Sequence, residues 1–310
     1  MKICFIDKTE FSYSYQDINK SKLRGAESIF INLSKEISKL GHEVIVFNNC
    51  NKDEYKSTSF SWLNINRLKN NIYNFDIVIS NSDCNFFKLA SGKKNILISH
   101  SNQPIEQFIR KNQLMSYLKF RPTIWMTSNF QVKKRSKFIK MFGYILIPWS
   151  VDEIFLNTKI DNNVDNNQAI FTSRPDRNLD ILLNVWSKYI YPHDKKRRLI
   201  IYGKNDKLLN ESIINKNFVP HNELIKDICN SRLFLIPGHK AETFCLAAEE
   251  AKELCVPIVT MGIGCLSERV EHEKTGFVAK NENEFKDYII ELCSNNETWN
   301  YFRNNLLKLR

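Results

Sequence analysis

Two acidic residues beside a strand, a loop and a helix are the side chains in this sequence best suited to chemistry. Glu242 follows an apolar segment that ends at Gly238, and Glu250 comes eight residues later in a stretch with helical character. A helix that begins near Thr243 would present unpaired backbone N–H groups at its positive end, which suits a phosphate or pyrophosphate. Along a helix this spacing is a rise of about 12 Å, and it favours a ligand with hydroxyl groups on both sides of a pyrophosphate. The plainer alternative is that Glu242 is only an acidic residue in the first turn of the helix and that Glu250 lies on a solvent-exposed face.

An alternation of strands and helices must position these residues. The apolar pattern predicts strands at residues 2–7, 43–47, 76–80, 95–99, 123–126, 144–147, 169–172, 198–202, 217–219, 233–236 and 256–261. It predicts helices after Gly25 and at residues 179–189, 221–230, 243–254, 282–293 and 297–309. The polar residues 156–167 indicate a linker. We therefore expect an α/β protein of two Rossmann-like, doubly wound domains that face each other across a cleft, with ligands at the carboxyl ends of the strands.

The composition excludes several classes of protein. The 310 residues are 43% hydrophobic and 25% charged, which permits two ordinary cores and excludes a disordered or low-complexity chain. No window approaches the length of a membrane-spanning apolar helix. The apolar run after Met1 stops at Asp7 without the pattern of a signal peptide, so we expect a cytoplasmic protein. The eight cysteines include no Cys-x-x-Cys pair, which disfavours both zinc and disulfide bonds.

The positive charge is concentrated in the first half of the chain. The net charge is +11, and residues 1–150 alone sum to about +12. The stretch 107–151 contains no acidic residue and interleaves apolar and aromatic residues with nine basic ones, which are Arg110, Lys111, Lys119, Arg121, Lys133, Lys134, Arg135, Lys137 and Lys140. Such a stretch suits an anionic membrane surface, an anionic acceptor or nucleic acid. A solvated helix face backed by a core face is the plain alternative.

Several short segments occur in a characteristic order along the chain. Before the acidic pair come Gly25-Ala26-Glu27, Gly41-His42-Glu43-Val44, Phe171-Thr172-Ser173-Arg174 and Arg177-Asn178-Leu179-Asp180. After it come Cys255-Val256-Pro257-Ile258-Val259, Glu268 and Lys274-Thr275-Gly276-Phe277-Val278. In this order, and with the Glu-x7-Glu spacing, most of the chain resembles the glycosyltransferases of the GT-B fold, family 4. It departs from the family pattern at Arg24, Cys245 and Cys255, where the family has Gly, and at Arg177, where Lys is usual.

The resemblance implies a retaining enzyme that moves a hexose from a nucleotide diphosphate sugar, UDP- or GDP-linked, to a lipid, lipid-linked or glycan acceptor. It implies an acceptor-binding domain at residues 1–150 and a nucleotide-sugar-binding domain at residues 151–295. A last helix at residues 296–310 would pack back on the first domain, or else would bury Trp299 and Phe302 in a local core. No prosthetic group and no metal are expected, and the sequence contains no Asp-x-Asp motif. The nucleotide sugar is therefore a substrate whose leaving-group charge meets cationic side chains and a helix dipole.

The same resemblance assigns roles to individual residues. Glu242 would contact the donor sugar, and Glu250 would hold the ribose hydroxyls. Arg174 and Arg177 would hold the diphosphate and stabilise the leaving group, because a guanidinium bonds phosphate oxygens in pairs. His100 would bond a sugar hydroxyl or the acceptor, or else would be an ordinary loop histidine. The remaining donor contacts are expected from Thr243, Phe244, Cys245, Gly25, Gly203 and Val219.

Two other functions stay open beside this one. The basic first half would also suit a nucleic-acid-binding or base-glycosylating protein, but no helix-turn-helix, zinc finger or ribonucleoprotein-type motif is present, so nucleic acid ranks below the other partners. A sugar-nucleotide-binding module without catalysis would retain the fold. For the glycosyltransferase, the stretch 107–151 predicts a peripheral location at an anionic membrane on its cytosolic face.

Overall fold

A computed structural model describes residues 1–19, 25–50, 54–69, 73–102, 105–160, 164–203, 210–217 and 219–310 of the chain. These residues form two compact units, Met1–Pro148 and Trp149–Arg310. The boundary expected from the sequence, after residue 150, falls beside the Pro148–Trp149 junction. The acceptor and donor roles given to the two domains stay predictions.

The first unit contains an eight-stranded sheet within the described residues. Its strands are β1 (Lys2–Ile6), β2 (Glu43–Asn48), β3 (Tyr55–Lys56), β4 (Phe60–Asn64), β5 (Phe75–Asn81), β6 (Gly92–Ile98), β7 (Thr123–Met126) and β8 (Tyr144–Leu146). The order across the sheet is β3-β4-β2-β1-β5-β6-β7-β8, and the short β3 alone runs antiparallel to its neighbour. The helices are α1 (Gly25–Lys39), α2 (Ile105–Arg110), α3 (Leu114–Phe120) and α4 (Asn129–Lys134). Single 3-10 turns lie at Tyr15–Asn19, Ile65–Lys69, Cys84–Lys88 and Phe138–Lys140.

The second unit contains a parallel sheet with six strands in the part of the chain that is described. They are β9 (Asp165–Phe171), β10 (Arg198–Tyr202), β11 (Ile213–Lys216), β12 (Ser231–Gly238), β13 (Ile258–Ile263) and β14 (Gly276–Val278), in the order β11-β10-β9-β12-β13-β14. Its helices are α5 (Glu153–Leu156), α6 (Leu179–Val185), α7 (Tyr191–His193), α8 (His221–Cys229), α9 (Leu246–Glu253), α10 (Glu282–Ser294) and α11 (Asn296–Leu309). A π-helical segment, Trp186–Ile190, joins α6 to α7, and a 3-10 turn lies at Leu266–Glu268.

The expectation of two doubly wound α/β sheets is confirmed by this topology. In each sheet central strands contain buried apolar runs, such as Ile3–Ile6 of β1 and Leu233–Ile236 of β12, as expected for strands of a parallel sheet that is covered on both faces. All eight residues of β12 are buried, including Arg232. In each sheet the chain first winds to one side of its first strand and then returns to the other side. This creates a switch point between β1 and β5 and a second one between β9 and β12.

Several element predictions were wrong in position. The strand predicted at residues 217–219 lies at Ile213–Lys216, and residue 218 is outside the described residues. The helix predicted at residues 243–254 begins only at Leu246. The pair β3 and β4 was not predicted, because its short polar segments carry little apolar pattern. The helix predicted at residues 179–189 ends its α-helical part at Val185 and continues as the π segment.

The last helix, α11, makes its described contacts within the second unit. The Trp299 indole Nε1 donates to the carbonyl of Arg232 at 2.8 Å. The Arg232 guanidinium in turn donates to the carbonyl of Leu292 at 2.7 Å and to Asn296 Oδ1 at 2.9 Å, and it lies 4.9 Å from the centre of the Trp299 ring. A buried cation is thus satisfied by carbonyl and amide oxygens near the end of α10, where the helix dipole is negative. These contacts anchor α10 and α11 to β12.

Candidate active site

A cluster of charged residues in the second unit lies at its switch point. Arg174 and Arg177 follow the end of β9, and Glu242 follows the end of β12. Because β9 and β12 are parallel neighbours, these segments lie at the same edge of the sheet. Arg177 Nε donates to Glu242 Oε2 at 2.7 Å, and both side chains are largely buried, with 13% and 16% exposed. The structure therefore brings together two residues that the sequence placed in one site, 65 positions apart.

Asp176 completes this cluster and was not predicted as a site residue. Arg177 Nη1 donates to Asp176 Oδ2 at 2.8 Å, and Arg174 Nε donates to Asp176 Oδ1 at 3.0 Å. The guanidinium of Arg174 holds the pKa of the Asp176 carboxyl below its usual range. Arg174 remains 63% exposed. At the end of β9, Thr172 Oγ1 is buried and has no hydrogen-bond partner among the described residues, so it is available to a ligand.

Two glycines allow the loop that carries Glu242 to approach the neighbouring strand. Gly264, which follows β13, has φ +80°, and a Cβ there would lie 2.4 Å from the carbonyl oxygen of His239 and 2.9 Å from that of Glu242. Gly238, at the end of β12, has φ +95°, and a Cβ there would lie 2.7 Å from the carbonyl oxygen of Ile263. The loop is closed by a bond from the Glu242 N–H to the carbonyl of His239 at 2.9 Å. Only glycine fits at either position without displacing the backbone that carries Glu242.

The helix that follows this loop begins later than the sequence indicated. Cys245 is its N-cap and has φ +63°, so the chain is left-handed there, and α9 starts at Leu246. Glu242 is therefore in the loop, and the helical rise of about 12 Å expected between Glu242 and Glu250 does not apply. Cys245 stands where the family has Gly, and its conformation is one that Gly adopts without cost. The Ala248 N–H already donates to the carbonyl of Cys245 at 3.2 Å, so only the N–H groups before it lack an intrahelical partner, as a phosphate site requires.

Phe244 is held in place by a residue pair that the sequence did not single out. Arg269 lies over the Phe244 ring, 4.6 Å from its centre. Arg269 Nη1 also donates to Glu249 Oε1 at 2.7 Å. The side chains of Arg269 and Glu249 are 11% and 17% exposed, so this ion pair is well shielded from water. It ties the start of α9 to the turn after β13 and fixes the segment whose N–H groups are expected to meet phosphate.

Glu250 has a different environment from its neighbour Glu249. Within the described chain no hydrogen bond or ion pair engages the Glu250 carboxylate. Burial, with a smaller contribution from the negative charge of Asp152, raises the pKa of Glu250 to about 7. The plainer alternative of a solvated face does not hold for Glu250, which is only partly exposed. An acceptor without partners in a shielded position suits ligand hydroxyls.

The predicted histidine lies at the switch point of the first unit. His100 follows β6, and its Nε2 lies 2.6 Å from Asn81 Oδ1, at the end of β5. Asn81 Nδ2 donates to Asp7 Oδ1 at 2.9 Å, and the Tyr13 hydroxyl donates to Asp7 Oδ2 at 2.5 Å. Burial lowers the pKa of His100 to about 4, so the imidazole is neutral at pH 7. The sequence did not predict three of these residues as site residues, namely Asp7, Tyr13 and Asn81. No motif includes any of them.

The remaining predicted ligand contacts are more scattered. Gly25 is the first residue of α1, and Arg24 before it lies outside the described residues. Gly203 ends β10 with φ +102°, and its N–H donates to the carbonyl of Lys216 at 3.0 Å. Thr243 is buried, and Val219 is half-buried beside an undescribed residue. The loop directly after Gly203 also lies outside the described residues.

The basic stretch 107–151 divides into a surface and a core. Arg135 was wrongly grouped with the surface cations, because it is 4% exposed and donates from Nη1 to the carbonyl of Ser101 at 2.9 Å. Burial lowers its pKa to about 10. The exposed members are Arg110, Lys111, Lys119, Arg121, Lys133, Lys134 and Lys137. Large apolar side chains are exposed in the same stretch, namely Ile109, Met115, Leu118, Met141, Tyr144, Leu146 and Ile147.

Neither a metal cluster nor a spanning helix is found in the described part of the chain. No three His, Cys, Asp or Glu side chains there lie close enough to hold a metal ion. None of the helices described is both long and apolar enough to cross a membrane. The Arg174, Arg177 and Glu242 cluster pairs two cations with a carboxylate, which suits a phosphorylated ligand better than a bare metal ion.

Comparison with known proteins agrees with the geometry. Residues 155–308 match the family described as "Glycosyl transferases group 1". No curated protein matches the chain in sequence. Over 99% of its length the chain is similar in structure to sucrose-phosphate synthase from Thermosynechococcus elongatus, with 12% identity, 93% of that chain covered and a TM-score of 0.72. Anabaena HepE, solved with UDP and glucose, is 15% identical, with 100% of this chain and 94% of that chain covered and a TM-score of 0.71.

A third neighbour carries the same fold. WaaG, a glycosyltransferase involved in lipopolysaccharide biosynthesis, is 11% identical, with 98% of this chain and 94% of that chain covered and a TM-score of 0.68. These three likenesses extend over both units, whereas the family match is confined to the second. The resemblance to GT-B glycosyltransferases seen in the sequence is therefore confirmed for the fold of the whole chain.

Proposed function

We propose that the chain is a retaining hexosyltransferase of family 4, on the premise that residues 155–308 match the family of group 1 glycosyl transferases. It moves a hexose from a UDP- or GDP-linked donor to a lipid, lipid-linked or glycan acceptor. The donor binds to the second unit, and the acceptor binds to the first. The observation that carries the proposal is the largely buried Arg177–Glu242 pair at the switch point of the second sheet.

Arg174 and Arg177 bind the donor diphosphate in this proposal. In the free chain Asp176 accepts from both guanidinium groups and so occupies the place of an anion between them. A diphosphate carries more charge and more acceptor oxygens than one carboxylate, so it competes for the same N–H groups. When the sugar–phosphate bond breaks, negative charge accumulates on the leaving nucleoside diphosphate. The two guanidinium groups stabilise that charge from fixed positions, which lowers the barrier.

Glu242 contacts the transferred sugar, and its position is fixed from two directions. Arg177 holds the carboxylate, while the backbone is held by the close approach of Gly264. Glu250 accepts hydrogen bonds from the ribose hydroxyls, because its carboxylate has no partner in the described protein. The N–H groups of Phe244 and Cys245 meet the phosphate, with Arg269 holding the Phe244 ring. Gly203 and Val219 lie on the side of the base.

His100 and Gly25 contribute from the first unit. His100 bonds a hydroxyl of the sugar or of the acceptor, and Gly25 permits the first loop to approach the donor phosphate. Neither a prosthetic group nor a metal ion is needed in this scheme, since guanidinium groups and the first turn of α9 supply the positive charge. HepE has been solved with UDP and glucose, which supports a nucleotide sugar as donor.

A panel of nucleotides tests the donor site directly. UDP, GDP, ADP, CMP and their sugar derivatives are compared by thermal shift, where a ligand at a hundred times its Kd adds about 2.7 kcal/mol to the free energy of unfolding. We expect a selective shift that is lost in Arg174→Ala, and transfer that is lost in Arg174→Ala and Glu242→Ala. Arg198→Ala, which removes an exposed pair with Asp165, is the matched control and keeps both properties. Full transfer in both site variants would refute the residue assignment.

For the acceptor, we propose a lipid or lipid-linked molecule at an anionic membrane surface. The support is the stretch 107–151, where exposed cations and exposed apolar side chains alternate; Met115 is 74% exposed and Met141 is 54% exposed. Apolar side chains that enter the interface beside cations are the elements of peripheral membrane binding. The protein would then act as a peripheral enzyme on the cytosolic face.

Vesicle binding separates this acceptor from a soluble one. We expect the protein to sediment with anionic vesicles but not with neutral ones, and to be released as the salt concentration rises. Met115→Ser with Ile109→Ser should weaken the binding, whereas Leu40→Ser, which changes a leucine 76% exposed at the end of α1, should not. Equal and negligible binding to both kinds of vesicle would exclude the membrane and leave a soluble glycan acceptor.

A further inference from the structure

The charged cluster at the switch point of the second sheet is balanced in charge. It pairs two guanidinium groups with two carboxylates, and its members are Arg174, Arg177, Asp176 and Glu242. The charges of these four side chains sum to zero, so an anion that approaches them meets no excess of positive charge. To bind both guanidinium groups, an anionic ligand must therefore take N–H groups away from one of the carboxylates.

The two carboxylates of the cluster differ in how firmly they are held. The Glu242 side chain is 16% exposed and accepts from Arg177 Nε at 2.7 Å, and the loop that carries it is fixed by the close approach of Gly264. The Asp176 side chain is 52% exposed. An exposed ion pair with Arg is worth little, because water solvates the carboxylate once the pair opens. Asp176 is therefore the carboxylate that a ligand can displace.

The backbone that carries Asp176 is held in place although its side chain is exposed. Asp176 lies in a turn that is closed by a bond from the Arg177 N–H to the carbonyl of Arg174 at 3.0 Å. Directly after the turn, Asn178 Nδ2 donates to the carbonyl of Gly238 at the end of β12. Displacement of the carboxylate is therefore a rotation of one side chain and needs no movement of the loop.

Asp176 occupies the N–H groups that would bind phosphate in pairs. It accepts from both Nε and Nη2 of Arg174, and it also accepts from Nη1 of Arg177 at 2.8 Å. Phosphate oxygens bind a guanidinium through the same two-pronged arrangement. The bond from Arg174 also holds the pKa of Asp176 below its usual range, so the carboxylate is charged at pH 7. A carboxylate that only oriented the guanidinium groups would leave these N–H groups to the ligand.

We propose that Asp176 is an internal competitor for the phosphate site: its carboxylate closes the pair formed by Arg174 and Arg177, and a ligand binds only by displacing it. If the open form is a fraction f of the protein, the apparent Kd of every phosphate ligand is raised by 1/f, and f is about 0.1–0.3 for a half-exposed pair. The competitor thus weakens the donor, the nucleoside diphosphate product and inorganic phosphate by the same factor, which keeps the product and ambient phosphate from blocking the site. The identity of donor and product rests on the proposed function, whereas the competition with phosphate does not.

Calorimetry on the full chain with inorganic pyrophosphate and inorganic phosphate tests the competition. Asp176→Asn keeps the size of the side chain and removes its charge. We expect the Kd of pyrophosphate to fall about three- to tenfold, and the Kd of phosphate to fall by a similar factor. Asp165→Asn is the matched control, because it makes the same change of charge in another exposed Arg–Asp pair, that with Arg198. It should leave both Kd values unchanged.

The sign of the change separates competition from orientation. If Asp176 instead holds the guanidinium groups in place for the ligand, its loss raises the Kd of pyrophosphate. Because asparagine still accepts a hydrogen bond, Asp176→Ala is the second variant, and its Kd should fall at least as far as that of Asp176→Asn. A Kd of pyrophosphate that is raised or unchanged in both variants would overturn the proposal.

Nucleotides separate this proposal from the proposed function. The product-inhibition constant of the nucleoside diphosphate should fall in Asp176→Asn by the same factor as the Kd of pyrophosphate. If the variants bind pyrophosphate more tightly but no nucleotide binds and no sugar is transferred, the proposed function fails and the competition stands. If a nucleotide binds the wild type with a Kd that neither variant lowers, the competition fails and the proposed function stands. Pyrophosphate that binds neither the wild type nor Asp176→Ala would overturn both.

Discussion

Donor binding should weaken as the pH falls from 8 to 6, because Glu250 loses its charge in this range. Burial raises the pKa of Glu250 to about 7, so its ionised fraction is about 0.9 at pH 8 and about 0.1 at pH 6. If only the ionised carboxylate accepts hydrogen bonds from the ribose hydroxyls, the apparent Kd rises about tenfold from pH 8 to pH 6. This corresponds to about 1.4 kcal/mol of binding free energy. Calorimetry should use a nucleotide sugar, in which each phosphate carries one ester bond and shares the anhydride bond, because the terminal phosphate of a free nucleotide titrates near pH 6 itself.

The matched variant is Glu250→Gln, which keeps an acceptor oxygen but does not titrate. Its Kd should be the same at both pH values, and any slope that remains belongs to other groups. A wild-type Kd that does not change between pH 8 and pH 6, or an equal slope in Glu250→Gln, would refute the reasoning.

The same carboxyl affects the stability of the free protein. Because its pKa is higher in the folded chain than the usual 4.5, the folded state binds more protons between these values, and the free energy of unfolding falls as the pH rises. Allowing for partial exposure, Glu250→Gln should raise the free energy of unfolding at pH 8 by about 1–3 kcal/mol. Urea denaturation at pH 5 and pH 8 measures it, and a gain that is equal at both pH values would contradict this origin.

Three further substitutions test the backbone and the buried cation by urea denaturation. Gly264→Ala should lower the free energy of unfolding by about 2–4 kcal/mol, because its Cβ would meet two carbonyl oxygens. Gly143→Ala is the control: Gly143 has φ +94° and a Cβ there would meet no atom within 4 Å, so the loss should be only about 1 kcal/mol. Equal losses in the two variants would argue against the clash. Cys255, which follows α9, has φ +56° and is therefore in the left-handed region that glycine favours. Cys255→Gly should be about 1 kcal/mol more stable than Cys255→Ala. The reverse order would show that the backbone is not strained at this position. Arg232→Met should lower the free energy of unfolding by about 2–4 kcal/mol, because it leaves buried oxygen atoms near the end of α10 without hydrogen-bond donors. An unchanged free energy of unfolding would show that water supplies the missing donors.

The parallel sheets were predictable because their strands are buried on both faces. The segment Leu233–Ile236 is a continuous apolar run, and the strand built on it is buried throughout. The start of α9 was not predictable in the same way. Its residues have no proline or typical capping side chain, and the left-handed conformation of Cys245 displaces the first helical residue to Leu246. At Cys245 and Cys255 the sequence departs from the glycine of the family, while the backbone retains the conformation that glycine favours.

Site residues were predictable where the family pattern supplied them, and not where only tertiary contacts define them. Glu249 and Glu250 are identical neighbours in the sequence, yet Glu249 pairs with Arg269 and Glu250 has no partner among the described residues. That difference depends on which side of α9 faces the turn after β13. Likewise, Arg135 is indistinguishable by type from the exposed cations around it, but its contact with the Ser101 carbonyl places it in the core.

The contacts of Arg310 have a consequence for the exchange of modules between related chains. Its guanidinium bonds the carbonyls of Leu156 and Thr158 at 2.7 Å and 2.6 Å, so the segment that enters the second unit and the end of α11 lie side by side. A chimera joined at the Pro148–Trp149 boundary keeps both sides of this contact together, so the second unit can be exchanged as one piece. If the proposed function holds, such a chimera carries the donor preference of the unit it receives.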